Sequence, residues 1–77
     1  MMGGGVVPEW DVADRMRKAL RHRGAGVQEI ADYLGVSRNT VGGWINGRYN
    51  PSIATLRSWA QYCSVNYEWL KDGDHRR

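Results

Sequence analysis

Little in this sequence can cross-link, ligate a metal or span a membrane. It holds one cysteine, Cys63, no phenylalanine, two histidines and two prolines. A lone cysteine excludes an internal disulfide and a cysteine-rich metal site. His22 and His75 both lie in basic flanks, so no zinc site, and no other cofactor, is expected. No apolar run approaches ~18 residues, too short for a membrane-crossing helix. The N-terminal MMGGGVVP has neither the basic nor the apolar region of a secretory signal. A cytoplasmic protein is therefore expected. Enzymatic signatures are equally scarce. Cys63 falls on an apolar stripe, no acids pair in an apolar setting, and Gly24-Ala25-Gly26 is a bare GxG with no strand before it.

What is present is concentrated. Seventy-seven residues make one small domain, of a size that buries only about 60–65% of its unfolded surface. Four tryptophans and four tyrosines put much of the apolar area into few side chains. Charge is uneven. Between Arg15 and Arg57 lie eight Lys/Arg against two acids, Glu29 and Asp32, while the other acids sit towards the ends. A basic centre between acidic ends suits a polyanion-binding face, although Arg21, His22 and Arg23 also suit the negative end of a helix dipole.

Residues 1–8 are Gly-rich, aperiodic and without Lys or Arg, and read as disordered; residues 9–73 read as the domain and 74–77 as a polar tail. The first helix should start near Pro8 to Asp11, with Asp11 as N-cap and Asp14 at N3. Val12, Met16, Ala19 and Leu20 form its apolar stripe, with Arg15, Arg17, Lys18 and Arg21 off it, and Arg23-Gly24 ends it. Gly26 to Gly47, GVQEIADYLGVSRNTVGGWING, reads as two short helices joined by the turn Gly35-Val36-Ser37. The first buries Ile30, Ala31 and Leu34, and small Ala31 allows a close crossing. The second is capped by Ser37, buries Val41, Trp44 and Ile45, and leaves Arg38, Asn39, Thr40, Gly42 and Gly43 outward. Two such helices in a small basic protein suggest a helix-turn-helix with its second helix in a DNA major groove. Two glycines inside that helix cost about 1 kcal/mol each relative to alanine, which marks either close approach of another surface or a frayed helix held by Trp44. Asn46-Gly47 is a helix end. A fourth helix follows Ser52 with Ile53, Leu56, Trp59, Ala60 and Cys63 inward. A short fifth, capped by Asn66, runs from Tyr67 to about Asp72 and ends at Gly73. The fold class is all-α, with five helices.

The chain from Asp14 to Gly73 resembles the lambdoid phage repressor and Cro type of helix-turn-helix domain. The residues that carry the likeness are Gln28-Glu29-Ile30-Ala31, Leu34-Gly35-Val36-Ser37, Thr40-Val41, Trp44-Ile45-Asn46-Gly47, Pro51-Ser52 with Leu56 and Ala60, and Val65-Asn66-Tyr67-Glu68-Trp69-Leu70. The resemblance implies a regulator of transcription that occupies a double-stranded DNA operator. It implies base contacts from Arg38, Asn39 and Thr40, and from the position of Gly43. It implies phosphate contacts from Gly26, Val27 and Gln28, from Ser37, and from Asn46, Gly47, Arg48 and Tyr49. Arg can pair with guanine and Asn with adenine in the major groove, which fits Arg38 and Asn39 independently. Tyr49 either grips phosphate or covers its loop. Val27 stands where the family often carries glutamine, so Gln28 or backbone N–H groups must take that role. Leu20 and Ile45 occupy positions that pair charges in some relatives, and an apolar contact is expected instead. A homodimer on DNA would use Tyr62, Asn66, Tyr67 and Trp69, with Trp69 read as core and Tyr67 as exposed. An antitoxin that represses its own operon, or a protein–protein adaptor on the same helices, are the alternatives.

Overall fold

The computed structural model describes residues 11–73; the readings of residues 1–8, of Pro8 and of residues 74–77 fall outside them. Five helices follow in order, α1 (Val12–Arg23), α2 (Val27–Leu34), α3 (Arg38–Ile45), α4 (Ile53–Cys63) and α5 (Tyr67–Asp72), with no strand among the described residues. Four of the five start on a side-chain cap. Asp11, Ser37, Ser52 and Asn66 accept hydrogen bonds from the N–H groups of Asp14, Thr40, Thr55 and Trp69 at 3.0, 3.1, 3.1 and 2.8 Å. Each such cap stabilises its helix by about 1 kcal/mol. Gly26 precedes α2 with no side chain to cap it.

Trp59 is the centre of the core. Its ring is fully buried, its indole N–H donates to the Met16 carbonyl at 3.2 Å, and Trp44 meets it edge-on with centroids 6.3 Å apart. Met16, Ile30, Val41 and Leu70, from four helices, close around it with no exposure. A buried tryptophan needs a partner for its N–H, and the Met16 carbonyl fixes the rotation of α4 against α1. Trimming Trp59 to alanine would cost about 3–5 kcal/mol, a large share of the stability of a domain this size. α1 packs against α3, α4 and α5, and α2 against α3 and α4.

Two expectations change, and one turn had no forewarning. Arg15 is not off the apolar stripe but buried, 7% exposed. Its Nε donates to the Leu70 carbonyl at 2.8 Å and its Nη2 to the Lys71 carbonyl at 2.9 Å. The cation thereby closes the C-terminal end of α5, where carbonyls lack helical partners and the dipole is negative. Ile53 is not inward. It is 51% exposed, because the first turn of α4 extends past the core that Leu56 and Trp59 enter. A non-glycine left-handed residue, Ser64 (φ 60), turns the chain from α4 to α5 and had no signal in composition. At Leu20 and Ile45 both side chains join the apolar cluster as expected, but Arg17 also donates to the Ile45 carbonyl. A charge on α1 therefore still meets the end of α3, through the backbone.

Candidate nucleic-acid interface

The α2–α3 corner is built from the backbone up. Gly35 takes φ +75, and the N–H groups of Gly35 and Val36 both return to the Ala31 carbonyl at 2.9 and 3.0 Å. A residue with a Cβ is strained at that φ. Ala31 and Ile30 are fully buried beneath α3 and Val36 is half-buried. Ser37 Oγ lies 3.0 Å from Thr40 Oγ1 as well as capping the helix. The orientation of α3 is thus set by a hydrogen-bonded turn on one side and by Val41 and Trp44 on the other.

With about 100° between successive helical residues, Val41, Trp44 and Ile45 share the inner arc of α3, and Asn39 and Gly43 lie opposite. Arg38 and Asn39 are exposed, whereas Thr40 is half-buried with its hydroxyl on Ser37. Gly43 requires a correction. It was expected outward and bare, yet it is buried. The cause is the loop that follows. Gly47 adopts φ +77, and the Arg48 N–H returns to the Gly43 carbonyl at 2.8 Å. This reverses the chain over the outer face of α3. The Tyr49 hydroxyl then donates to the carbonyls of Asn39 and Thr40 at 3.3 and 3.2 Å. A Cβ placed on Gly43 would fall inside the Tyr49 ring, and one placed on Gly42 would lie 3.9 Å from Arg48 Nη2. Gly43 therefore marks close approach, by the protein's own loop, whereas a Cβ on Gly42 would make only an ordinary contact, and α3 runs unbroken to Ile45. A glycine inside α3 six residues before a tyrosine was the only sequence signal of this packing.

The basic centre is thinner than its count. Arg15 is buried, Arg17 and Lys18 each pair with Asp14 at 3.2 Å, and Arg23 donates to the Tyr62 carbonyl and lies over its ring. Arg57 lies 4.6 Å above the Tyr67 ring. Among the described residues, Arg21, Arg38 and Arg48 are exposed and make no ion pair or ring contact; Arg21 lies in the last turn of α1, and the other two belong to α3 and the loop after it. Gly26, Asn46 and Gly47 are exposed, Val27 is half-buried, and the Gln28 amide donates to Asp32 Oδ1 at 3.0 Å.

The four residues read as a dimer surface are drawn into the protein's own fold. Tyr62 is half-buried, hydrogen-bonded to Glu29 and stacked against Tyr33 with centroids 4.5 Å apart. The bond to Glu29 pushes its phenol above the ordinary value. Asn66 is exposed but its side chain caps α5. Tyr67, expected to be exposed, is half-buried, because Arg57 and Lys71 flank its ring. Trp69, expected as core, is half-buried at the core's margin, since Leu70 takes the inner position of this short helix.

The profile of the helix-turn-helix family matches residues 16–70. The chain is also similar to a curated protein of Bacillus subtilis (strain 168), the SPbeta prophage-derived uncharacterized HTH-type transcriptional regulator YonR, at 29% identity over 62 residues. That alignment covers 80% of this chain and 57% of the relative, so the chain spans little more than half of the relative's length. No solved structure matches it significantly. No helix among the described residues is long and apolar enough to cross a membrane.

Proposed function

The chain belongs to the helix-turn-helix family, and on that premise we propose that it is a sequence-specific double-stranded DNA-binding regulator of transcription, of phage or prophage kind, acting by occupancy of an operator in the bacterial cytoplasm. The observation that carries this reading is the coincidence of exposed cations with the outer face of α3. Arg38, next to an exposed Asn39 at the start of α3, and Arg48, in the loop that follows the helix, are exposed and without an ion pair.

In this reading Arg38 and Asn39 read base edges, Arg through guanine O6 and N7 and Asn through adenine N6 and N7. Thr40, with its hydroxyl held by Ser37, offers its methyl to a base or its hydroxyl to a phosphate. Phosphates are gripped by the start of α2 at Gly26, Val27 and Gln28, by Ser37, and by Asn46, Gly47 and Arg48. The uncapped N–H groups after Gly26 suit an anion. One short helix reads few base pairs, so affinity comes from two copies on a palindrome. Trp69, half-buried at the margin of the core with Tyr62, Asn66 and Tyr67 near it in sequence, anchors that pairing.

The test is selection of bound duplexes from a random pool at two salt concentrations. A recurrent motif, with affinity falling as salt rises, is the expected result. Binding that weakens with salt but enriches no motif refutes sequence-specific regulation, and absence of binding at low salt refutes the DNA interface altogether.

A further inference from the structure

We propose that Tyr49, a loop residue, is a specificity-determining residue that reads an apolar base edge from the middle of the α3 face, in a seat that Gly43 keeps open. The inference rests on the DNA-binding reading above and replaces the phosphate contact implied for Tyr49 by resemblance.

Three observations place the ring. Gly43 lies on the arc of α3 opposite Val41 and Trp44, one turn along from Asn39, so whatever covers it stands on the outward face. Gly43 is buried, and the atoms that meet a Cβ built there are Cζ, the hydroxyl oxygen and Cε2 of Tyr49, the hydroxyl end of its phenol. Tyr49 is nevertheless 46% exposed, so the ring that fills the side-chain space of position 43 still presents much of its surface outward. The outer face of α3 thus reads, along its length, Arg38, Asn39 and then the tyrosine ring.

The hydrogen bonds decide what that ring can recognise. The Tyr49 hydroxyl turns back onto the helix, and its hydrogen is committed to the carbonyls of Asn39 and Thr40. With that proton committed, ring carbon is what Tyr49 has left to offer a methyl group. In the major groove the base edge that apolar carbon recognises is the C5-methyl of thymine, whereas guanine and adenine present acceptors that need a donor. Tyr49 therefore selects a thymine-bearing base pair next to the one met by Asn39. The same hydrogen bonds hold the ring at a fixed height above the helix, as a reading group requires.

The test compares motifs selected from a random duplex pool by the wild-type chain, Tyr49→Ala, Tyr49→Phe and Gly43→Ala, each first verified as helical and cooperatively melting. Tyr49→Ala is expected to lose the thymine preference at one position by about fivefold or more, with the rest of the motif and the salt dependence retained. Gly43→Ala, which keeps the tyrosine but closes its seat, should lose preference at the same position. Tyr49→Phe, which keeps the ring carbon but loses both tethers, should still prefer thymine there, by a smaller margin than the wild-type chain. Replacing that thymine by uracil in the wild-type site should reproduce the loss, since only the methyl is removed. If Tyr49→Ala selects the wild-type motif, or weakens all sequences alike, Tyr49 is not a reader and the inference fails while the DNA-binding reading stands. If the wild-type chain selects no motif, the parent reading fails and takes this one with it.

Discussion

Replacing Arg15 with methionine should destabilise the domain without touching its interaction with DNA. The guanidinium donates to two α5 carbonyls at 2.8 and 2.9 Å and is 7% exposed. Methionine preserves most of the aliphatic stem and removes both donors. Hydrogen bonds from a charged donor are worth about 1.5–3 kcal/mol each. Against them stands the cost of keeping a cation out of water, which disappears in the variant. The carbonyls of Leu70 and Lys71 also regain water in part, because Lys71 is only half-buried. A net loss of about 2 kcal/mol follows, in a domain whose whole stability is about 4–11 kcal/mol. For a chain of this length that lowers the melting temperature by about 8–16 °C. Arg15→Lys should recover little, since an ammonium cannot reproduce the planar fork. The assay is thermal unfolding followed by helical circular dichroism, with DNA affinity of the folded variant measured across salt. A methionine variant melting within ~2 °C of the parent would refute the structural role. A salt slope smaller by about one would return Arg15 to the phosphate-gripping face.

Other outcomes follow from the site and from the two clearest titration shifts. Arg38→Ala should relax preference at one base position by about 1–3 kcal/mol with unchanged melting, read by site selection. Arg48→Ala should weaken binding on every sequence and reduce the salt slope by about one, read by titration at several ionic strengths. Burial pushes the Cys63 thiol up to about 11, so a thiol reagent at neutral pH should label it only as fast as the domain opens. An unfolded thiol ionises lower than the folded one, so Cys63 contributes stability that is present below ~8.5 and lost as pH rises towards the folded value; Cys63→Ala should flatten that alkaline decline in an unfolding titration. Asp14 is held below the usual carboxylate range, foremost by its hydrogen bond from Lys18. Its contribution is present at neutral pH and lost as pH falls through ~4 and below, so Asp14→Asn should soften the acid limb of the stability profile.

Much of the fold was legible because its signals are local. Asp11, Ser37, Ser52 and Asn66 mark helix starts by chemistry that acts within three residues, and all four make those bonds. The stripes of α1 and α4 fell out of spacing for the same reason. What escaped depends on distant parts of the chain, or on residue type overruling spacing. By position alone Arg15 belongs to the α1 stripe, one turn before Ala19; its charge argued it outward, and only the end of α5, 55 residues later, supplies the carbonyls that bring it in. Ile53 is the reverse case, an apolar side chain placed inward by type and left outside because the core ends a turn away. In the candidate site, the sequence places Arg38 and Asn39 on the exposed arc, where they stand. It could not show that Tyr49 folds over Gly43, because that contact needs the reversal at Gly47 and no local periodicity reports it.

The hydrogen bond from the Trp59 indole to the Met16 carbonyl, together with those from Arg15 to α5, ties the first helix of the domain to its last two. Helix α1 finds its partners in α3, α4 and α5, all of which are made after it. During synthesis Met16, Ala19 and Leu20 wait uncovered until Trp59 and then Leu70 arrive, and so do Ile30, Val41 and Trp44 of the α2–α3 corner, whose short helices need the same cluster. The domain therefore closes as one unit, when the last turn of α5 reaches Arg15, and not helix by helix.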